Sequence, residues 1–340
     1  MRKIAVLFAV LATVAAVSCT KEQDFEKEQV KKGAHAITFK ADHEQKADDP
    51  EVKTALNTAD GSVTWTTGDK IDLVTDEAVF ASNALKAEDN GKASVNFTIQ
   101  GASGNPLMAV YPQGLGVSYD ANVLSVPIPA VQDGSFAGAG IEVAKADGAA
   151  LAFKNVCGLL QMRINNADVR KIVITSNDDN PLVGTVPVSF DGSKLVLGDP
   201  TDTAASITVN VNGAGTYYVA VLPGTNLKSG FYVELKNGSD AVVGEILTPN
   251  TLTVARRQIR KINLEDKDVI ADKVFVTVAG AGTKDGSSWE NAKDKSGFFD
   301  VIKNATNQTV FMAEGTYLPG SEVAVSTAAD GLKVYGGYPA

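Results

Sequence analysis

The sequence predicts an all-β chain: antiparallel sandwich material over residues 36–267, then a segment of different grammar over 272–340. Three observations predict it. Apolar residues recur with period two in short runs, which buries one face of a strand and wets the other. Asp-Gly or Asn-Gly pairs stand at 60, 90, 133, 147, 191, 212, 237, 285 and 330, and such pairs accept the positive φ of hairpin turns. No long helical period is present, and the 31 glycines fit frequent tight turns.

The first 33 residues carry no sandwich pattern. Met1-Arg2-Lys3 is a basic start, and Ile4 to Val17 is an unbroken apolar or small run. That run is shorter than the roughly 20 residues a membrane span needs, so it reads as the apolar region of a signal peptide, residues 1–18. Its end, Ala16-Val17-Ser18-Cys19, resembles a bacterial lipobox, with Ala where Leu is commoner at position 16. The resemblance implies acylation of Cys19 and outer-membrane lipid as its partner. An ordinary secretory signal with a chance cysteine is the alternative. Residues 19–35 are charged and read as a solvated tether. Within them Lys21-Glu22-Gln23-Asp24 resembles the acidic export signal of surface lipoproteins in Bacteroidetes-type bacteria, against which stands retention on the periplasmic face.

Alternation then begins. Ile37 and Phe39 form one inward set, followed by Val95, Phe97 and Ile99. Ile172 and Ile174, then Ile207, Val209 and Val211, continue it. Tyr217, Val219 and Val221, and then Phe231, Val233 and Leu235, complete it. Prolines at 112, 127, 129, 187 and 223 are expected at strand edges and exits.

Composition excludes several classes. With 31 Lys and Arg against 40 Asp and Glu the net charge is −9, whereas nucleic-acid binding needs clustered cations. Loss of the signal peptide would remove Arg2 and Lys3 and leave the chain more acidic still. Two cysteines cannot make a disulfide scaffold or a Cys-built zinc site, and two histidines, His35 and His43, are too few for a metal or acid–base centre. Neither a GxSxG, a Walker A, an HExxH nor a dinucleotide pattern occurs, so no catalytic residue, metal or cofactor is assigned.

Over residues 36–266 an ordered set of short pieces resembles the fimbrillin-like (Mfa-like, fimbrillin A-related) lipoproteins of Bacteroidetes. It opens with Lys53-Thr54-Ala55-Leu56 and Asp60 through Trp65 to Ile71. It continues with Ala109-Val110-Tyr111-Pro112, Ile128-Pro129, Gln132 and Phe153 to Leu160. Tyr217 to Pro223, Gly230 to Val233 and Arg257 to Ile262 close it. The resemblance implies two tandem transthyretin-like β-sandwiches, here residues 36–146 and 147–267. It also implies adhesion or a fimbrial accessory or tip role, with fimbrial subunits, host proteins or glycans as partners. In that family stalk subunits lose their leader by cleavage after Arg, which opens a groove for a donor strand. This chain has no arginine between Arg2 and Arg163, which favours a permanently anchored protein.

Single residues carry two readings each. Trp65, before Gly68-Asp69, is a core anchor or a glycan platform. Asp69 and Asp72 are turn acids or cation ligands. Asn177-Asp178-Asp179-Asn180 is a polar hairpin tip or an oxygen-rich calcium loop, although it lacks the Gly and terminal Glu of an EF-hand. Cys157, in an apolar strand, reads as a small buried hydrophobe.

After Lys267 come Val274, Val276 and Val278, then Gly282 to Ala292 (GTKDGSSWENA), a short helix expected over Phe298–Ala305, Thr309 to Tyr317, and Gly331 to Tyr338. This order resembles the first coils of a pectin-lyase-like right-handed parallel β-helix. Glu314 and Asp285 fall in the shared motifs, where a turn role is expected. The chain stops at Ala340, where further coils would stack, so 272–340 is expected to be an incomplete β-helix start. The resemblance keeps a second function open: a surface polysaccharide lyase or hydrolase whose catalytic coils lie beyond this sequence. A carbohydrate-binding module is the third, with Trp65, Trp289 and a few tyrosines as the available platforms.

Overall fold

The structure, a computed structural model, describes residues 35–44, 63–270, 272–304, 308–324 and 331–338. Cys19, with the expected signal peptide and tether, lies outside the described residues, as do Lys53–Leu56 and Asp60–Ser62.

The chain is all-β. Among the described residues one sheet of eight strands holds the first half. Its order runs Val79–Ala81, Asp72–Thr75, Pro106–Tyr111, Glu142–Asp147, Ala150–Ala152, His35–Asp42 and Ser94–Ala102, with Lys154–Asn155 also paired to Glu142–Asp147. The second half is built mainly from three sheets. Gly158–Ile164 lies between Gly215–Val221, antiparallel, and Ile259–Asn263, parallel. Val169–Ser176 pairs with Phe231–Asn237 on one side and Ser206–Asn210 on the other. Val183–Asp191 pairs with Lys194–Leu197, Thr201–Ala204 and Val123–Ile128.

The inward sets behave as alternation requires. Phe39, Val95, Phe97, Ile99, Ile172, Ile174, Ile207, Val209, Val219, Val221, Val233 and Leu235 are all buried. Pro106–Tyr111 departs from alternation, because Met108, Ala109, Val110 and Tyr111 are all buried. Ala109 and Tyr111 join Trp65, Phe97 and Phe153 in one cluster, whereas Met108 and Val110 join the cluster that fills the second half. A strand covered on both faces needs apolar residues at every position.

Several pairings reach across the boundary between the expected domains 36–146 and 147–267. The boundary falls inside a hairpin, where Ala150 and Leu151 pair with Asp147 and Ala146. Residues 118–132 also cross over: Val123–Ile128 pairs with Val183–Asp191, and Val131–Gln132 pairs with Ser206–Asn210. Two apolar clusters result: one around Trp65, Phe97 and Phe153, and a second that runs from Val110 and Val143 through Leu124 and Val126 to Leu235 and so takes in residues on both sides of position 147.

Pro112, Pro129 and Pro223 follow strand ends as expected, and two other prolines differ from expectation. Pro127 and Pro187 lie within strands of one sheet, opposite Thr185 and Ser125. Pro187 sits between the stretches where Val183–Asp191 pairs with Thr201–Ala204 and with Lys194–Leu197, and its carbonyl accepts from Gly198 N at 2.8 Å. No ladder bond there requires the missing N–H.

Among the described residues from Lys273 onward the strands are parallel, with one register shift between Phe311 and Ala313. Lys273–Val276 pairs with Thr309–Ala313, which pairs with Lys333–Tyr338. Phe275, Phe311 and Tyr335 stack across the three strands, with centroids 5.5 and 5.7 Å apart. The helix Lys295–Asn304 starts three residues before the expected Phe298, because Asp294 accepts Gly297 N at 3.0 Å and opens an earlier turn.

Candidate functional site

Two cavities concentrate polar chemistry. The smaller, about 330 Å³, is lined by His43, Asp69, Tyr111, Phe136, Glu142 and Asn155 among others. His43 stacks on Trp65 with centroids 3.7 Å apart and donates from Nδ1 to Glu142 Oε2 at 2.5 Å. Tyr111 donates to Asp69 at 3.0 Å. Burial, and then the Asp69 charge, push the Tyr111 phenol well above its usual value. A histidine held by a carboxylate is half of an acid–base device. The hydroxyl of Ser135, which also lines this cavity, donates to Asp133 at 2.8 Å and accepts from Gly138 N at 2.9 Å, capping the helix Phe136–Ala139.

The larger cavity, about 650 Å³, lies between the second half and the parallel sheet. Thr175, Asn177, Asp178, Asp179, Tyr232 and Glu234 line one wall. Lys273, Phe275, Thr277, Ser287, Trp289 and Glu290 line the other. The walls are joined by a polar knot. Lys273 donates to Tyr232 at 3.0 Å and to Glu245 Oε2 at 2.7 Å, while Ile270 N donates to Glu245 Oε1 at 2.6 Å. Tyr232 in turn donates to Glu245. Burial and the Glu245 hydrogen bond drive the Tyr232 phenol well above its usual value, so it stays a donor.

Trp289 is positioned by its loop. Gly282 and Gly286 have φ of +47° and +83°, and a Cβ on Gly282 would stand 2.3 Å from Asn291 Oδ1. Asp285 accepts from Ser287 N at 2.8 Å and from Thr283 Oγ1 at 2.7 Å, and hydrogen bonds from these residues hold its carboxyl down at about 2. The half-buried indole then meets Phe275 edge-on at 4.9 Å and Tyr338 at 5.4 Å. The hydrogen bond from Ser288 holds Glu290 below its usual range.

The other sequence candidates are distributed as follows. Trp65 is fully buried among Phe97, Tyr111 and Phe153. Asp69 accepts Thr66 N at 2.7 Å, and Asp72 accepts Gly114 N at 2.7 Å. Asn177 spans to Ser229 O and Thr248 O, both at 3.0 Å. Burial raises Asp178, but hydrogen bonds from Ser176, Ser229 N and Asn180 outweigh it and leave the carboxyl below its usual range. Cys157 is buried, and its thiol donates to Ala139 O at 3.3 Å. Among the described residues no group of three or more His, Cys, Asp or Glu is arranged to hold a metal.

Sequence reasoning missed two groupings. His43 and Glu142 are 99 residues apart. Glu245 offered a signal that went unused: a carboxylate within the strand Val242–Thr248, beside Ile246, is costly to bury without partners.

No family model matches this chain, and no curated protein matches it. Solved structures give weak likenesses. A candidate cell adhesion protein from Bacteroides ovatus is 12% identical, with 70% of this chain and 99% of that one covered and a TM-score of 0.37. A candidate cell adhesion protein from Bacteroides fragilis is 13% identical, with 67% and 92% covered and a TM-score of 0.35. The C-terminally truncated tip fimbrial protein Mfa3 from Porphyromonas gingivalis is 9% identical, with 63% and 82% covered and a TM-score of 0.24. Likenesses of this size assign neither family nor function.

Proposed function

We propose that this chain is a lipid-anchored, fimbrillin-like surface protein of the outer membrane that acts in adhesion, as an accessory or tip component rather than a polymerising stalk subunit. The observation that carries the proposal is the apolar leader ending in Ala16-Val17-Ser18-Cys19, ahead of a tether and an all-β body. Two features support the non-polymerising form. The strand His35–Asp42 is held between Ser94–Ala102 and Ala150–Ala152, inside the first sheet. No arginine lies between Arg2 and Arg163 at which an Arg-specific protease could release a leader. The parallel pairing of Lys273–Val276, Thr309–Ala313 and Lys333–Tyr338 is what supports reading that segment as the first coils of a right-handed β-helix.

Metabolic labelling with palmitate tests the anchor. Wild-type protein is expected to carry label and to fractionate with membranes, and Cys19→Ala is expected to lose both. Equal labelling of the variant overturns the anchor. Polysaccharide cleavage by the purified chain overturns the adhesive role in favour of an enzyme.

A further inference from the structure

The chain contains two tryptophans, and the fold gives them opposite fates. Trp65 is fully buried, whereas Trp289 is half-buried on the wall of the 650 Å³ cleft. We infer that this cleft is a saccharide-binding site that takes a neutral oligosaccharide, with Trp289 as its platform.

Three observations carry the inference. First, the indole packs against Phe275 and Tyr338, and its loop is held by the Asp285 and Asn291 hydrogen bonds, so little ordering is left for binding to impose. The electron-rich face of an aromatic ring attracts the polarised C–H groups of a pyranose. Second, the polar groups around the indole suit vicinal hydroxyls. Asp179 and Glu290 only accept, and the hydroxyls of Ser287, Thr175 and Thr277 both donate and accept. A cleft of this volume lies within the range of small-molecule sites, about 300–1,000 Å³. Third, the charge selects against acidic sugars. Lys273 is already given to Glu245 and Tyr232, and Lys236 to Glu234 at 2.9 Å, which leaves Asp178, Asp179 and Glu290 to set the sign. An anionic ligand would meet like charge there. The site is independent of the lipid anchor, and its ligand is what an anchored adhesin would hold.

The test is a titration of the full chain in detergent, read by intrinsic fluorescence and calorimetry. The probes are cellotetraose, xylotetraose, mannotriose and chitotriose, with trigalacturonate as the acidic counterpart. Trp65 is sealed in the core, so a saccharide-dependent change in emission reports Trp289. At least one neutral probe is expected to bind saturably and more tightly than trigalacturonate. Trp289→Ala is expected to weaken binding about tenfold, as removal of one stacking platform does. Trp289→Phe is expected to recover part of that loss. Because Trp289 also packs on Phe275 and Tyr338, Glu290→Gln at the exposed rim provides a second arm. It is expected to weaken the neutral probe and to improve trigalacturonate. Three results overturn the inference: no response to any neutral probe, tighter binding of trigalacturonate, or unchanged affinity in both Trp289→Ala and Glu290→Gln. None of them bears on palmitate labelling of Cys19, so this inference and the anchor fail separately.

Discussion

Lys273 reaches from the first strand of the parallel sheet to Glu245 of the neighbouring sheet, Nζ to Oε2 at 2.7 Å, and the Glu245 side chain is fully buried. Removing the cation leaves a buried carboxylate with only Tyr232 and Ile270 N as donors. Lys273→Ala is expected to cost about 1–3 kcal/mol in urea denaturation. Replacing both partners by Lys273→Met and Glu245→Leu should cost less than the single change, because no orphaned charge remains. Amide exchange in Lys273–Val276 should quicken in the single variant.

Trp65 fills the centre of the first core, against Phe97, Tyr111 and Phe153. Trp65→Ala is expected to lose about 3–5 kcal/mol, with or without any saccharide present. Calorimetric melting of wild type and variant checks it. A variant with wild-type melting would show that the indole is not the anchor of this core.

Glu44 links the two halves. Arg256 Nη1 donates to its carboxylate at 2.8 Å, and Asn155 N donates at 3.0 Å. Burial raises the Glu44 carboxyl, but the hydrogen bonds and charges of Arg256, Asn155 N and Arg257 outweigh it and hold it below its usual 4.5. A carboxyl lowered by folding stabilises fully above its unfolded value, and that contribution is lost as pH falls through the folded one. Glu44→Gln is therefore expected to be less stable than wild type near neutrality, with the gap closing as the pH falls below the usual 4.5. Denaturation midpoints measured across that range decide it.

Cys157 offers a probe of global opening. Burial pushes its thiol up to about 12, so Cys157 presents almost no thiolate at neutral pH. In a Cys19→Ala background, Ellman's reagent is expected to react only at the rate of unfolding, and the reaction should accelerate with urea in step with loss of the β-sheet signal. Fast reaction in buffer would contradict the burial.

An Arg-specific protease is expected to leave residues 19–162 of the folded chain intact, since the arginines after Arg2 begin at Arg163. Mass spectrometry of the digest checks this. A defined N-terminal excision would refute the anchored form.

The face of each strand was legible in the sequence, and the partner often was not. Phe231, Val233 and Leu235 declare an inward face by alternation alone, and all three are buried. Val123–Ile128 alternates just as well, yet nothing local says that it pairs with Val183–Asp191. Alternation encodes the side a residue faces, while partnership depends on the whole core. Asp147-Gly148 closes the hairpin in which Ala150 and Leu151 pair with Asp147 and Ala146, although a tight turn reads the same whether it joins two strands of one sheet or two domains. Asp191-Gly192 likewise closes the hairpin of Phe190 and Leu195. In the cleft, the loop around Asp285 was legible from its turn residues. That Trp289 would face a cavity while Trp65 would be sealed could not be read locally, because both stand beside Gly- and Asp-bearing turns.

The parallel pairs have a mechanical meaning. The chain enters the first sheet through His35–Asp42, which runs parallel to Ala150–Ala152, and leaves the second half through Ile259–Asn263, which runs parallel to Gly158–Ile164. Tension along the polypeptide therefore pulls the start of one strand against the end of its parallel neighbour. Five consecutive residue pairs, Leu159 with Ile259 to Arg163 with Asn263, then bear the load together instead of opening one at a time. Under shear flow such a body resists as a clamp rather than as a zipper, and the antiparallel hairpin tips take little of the strain.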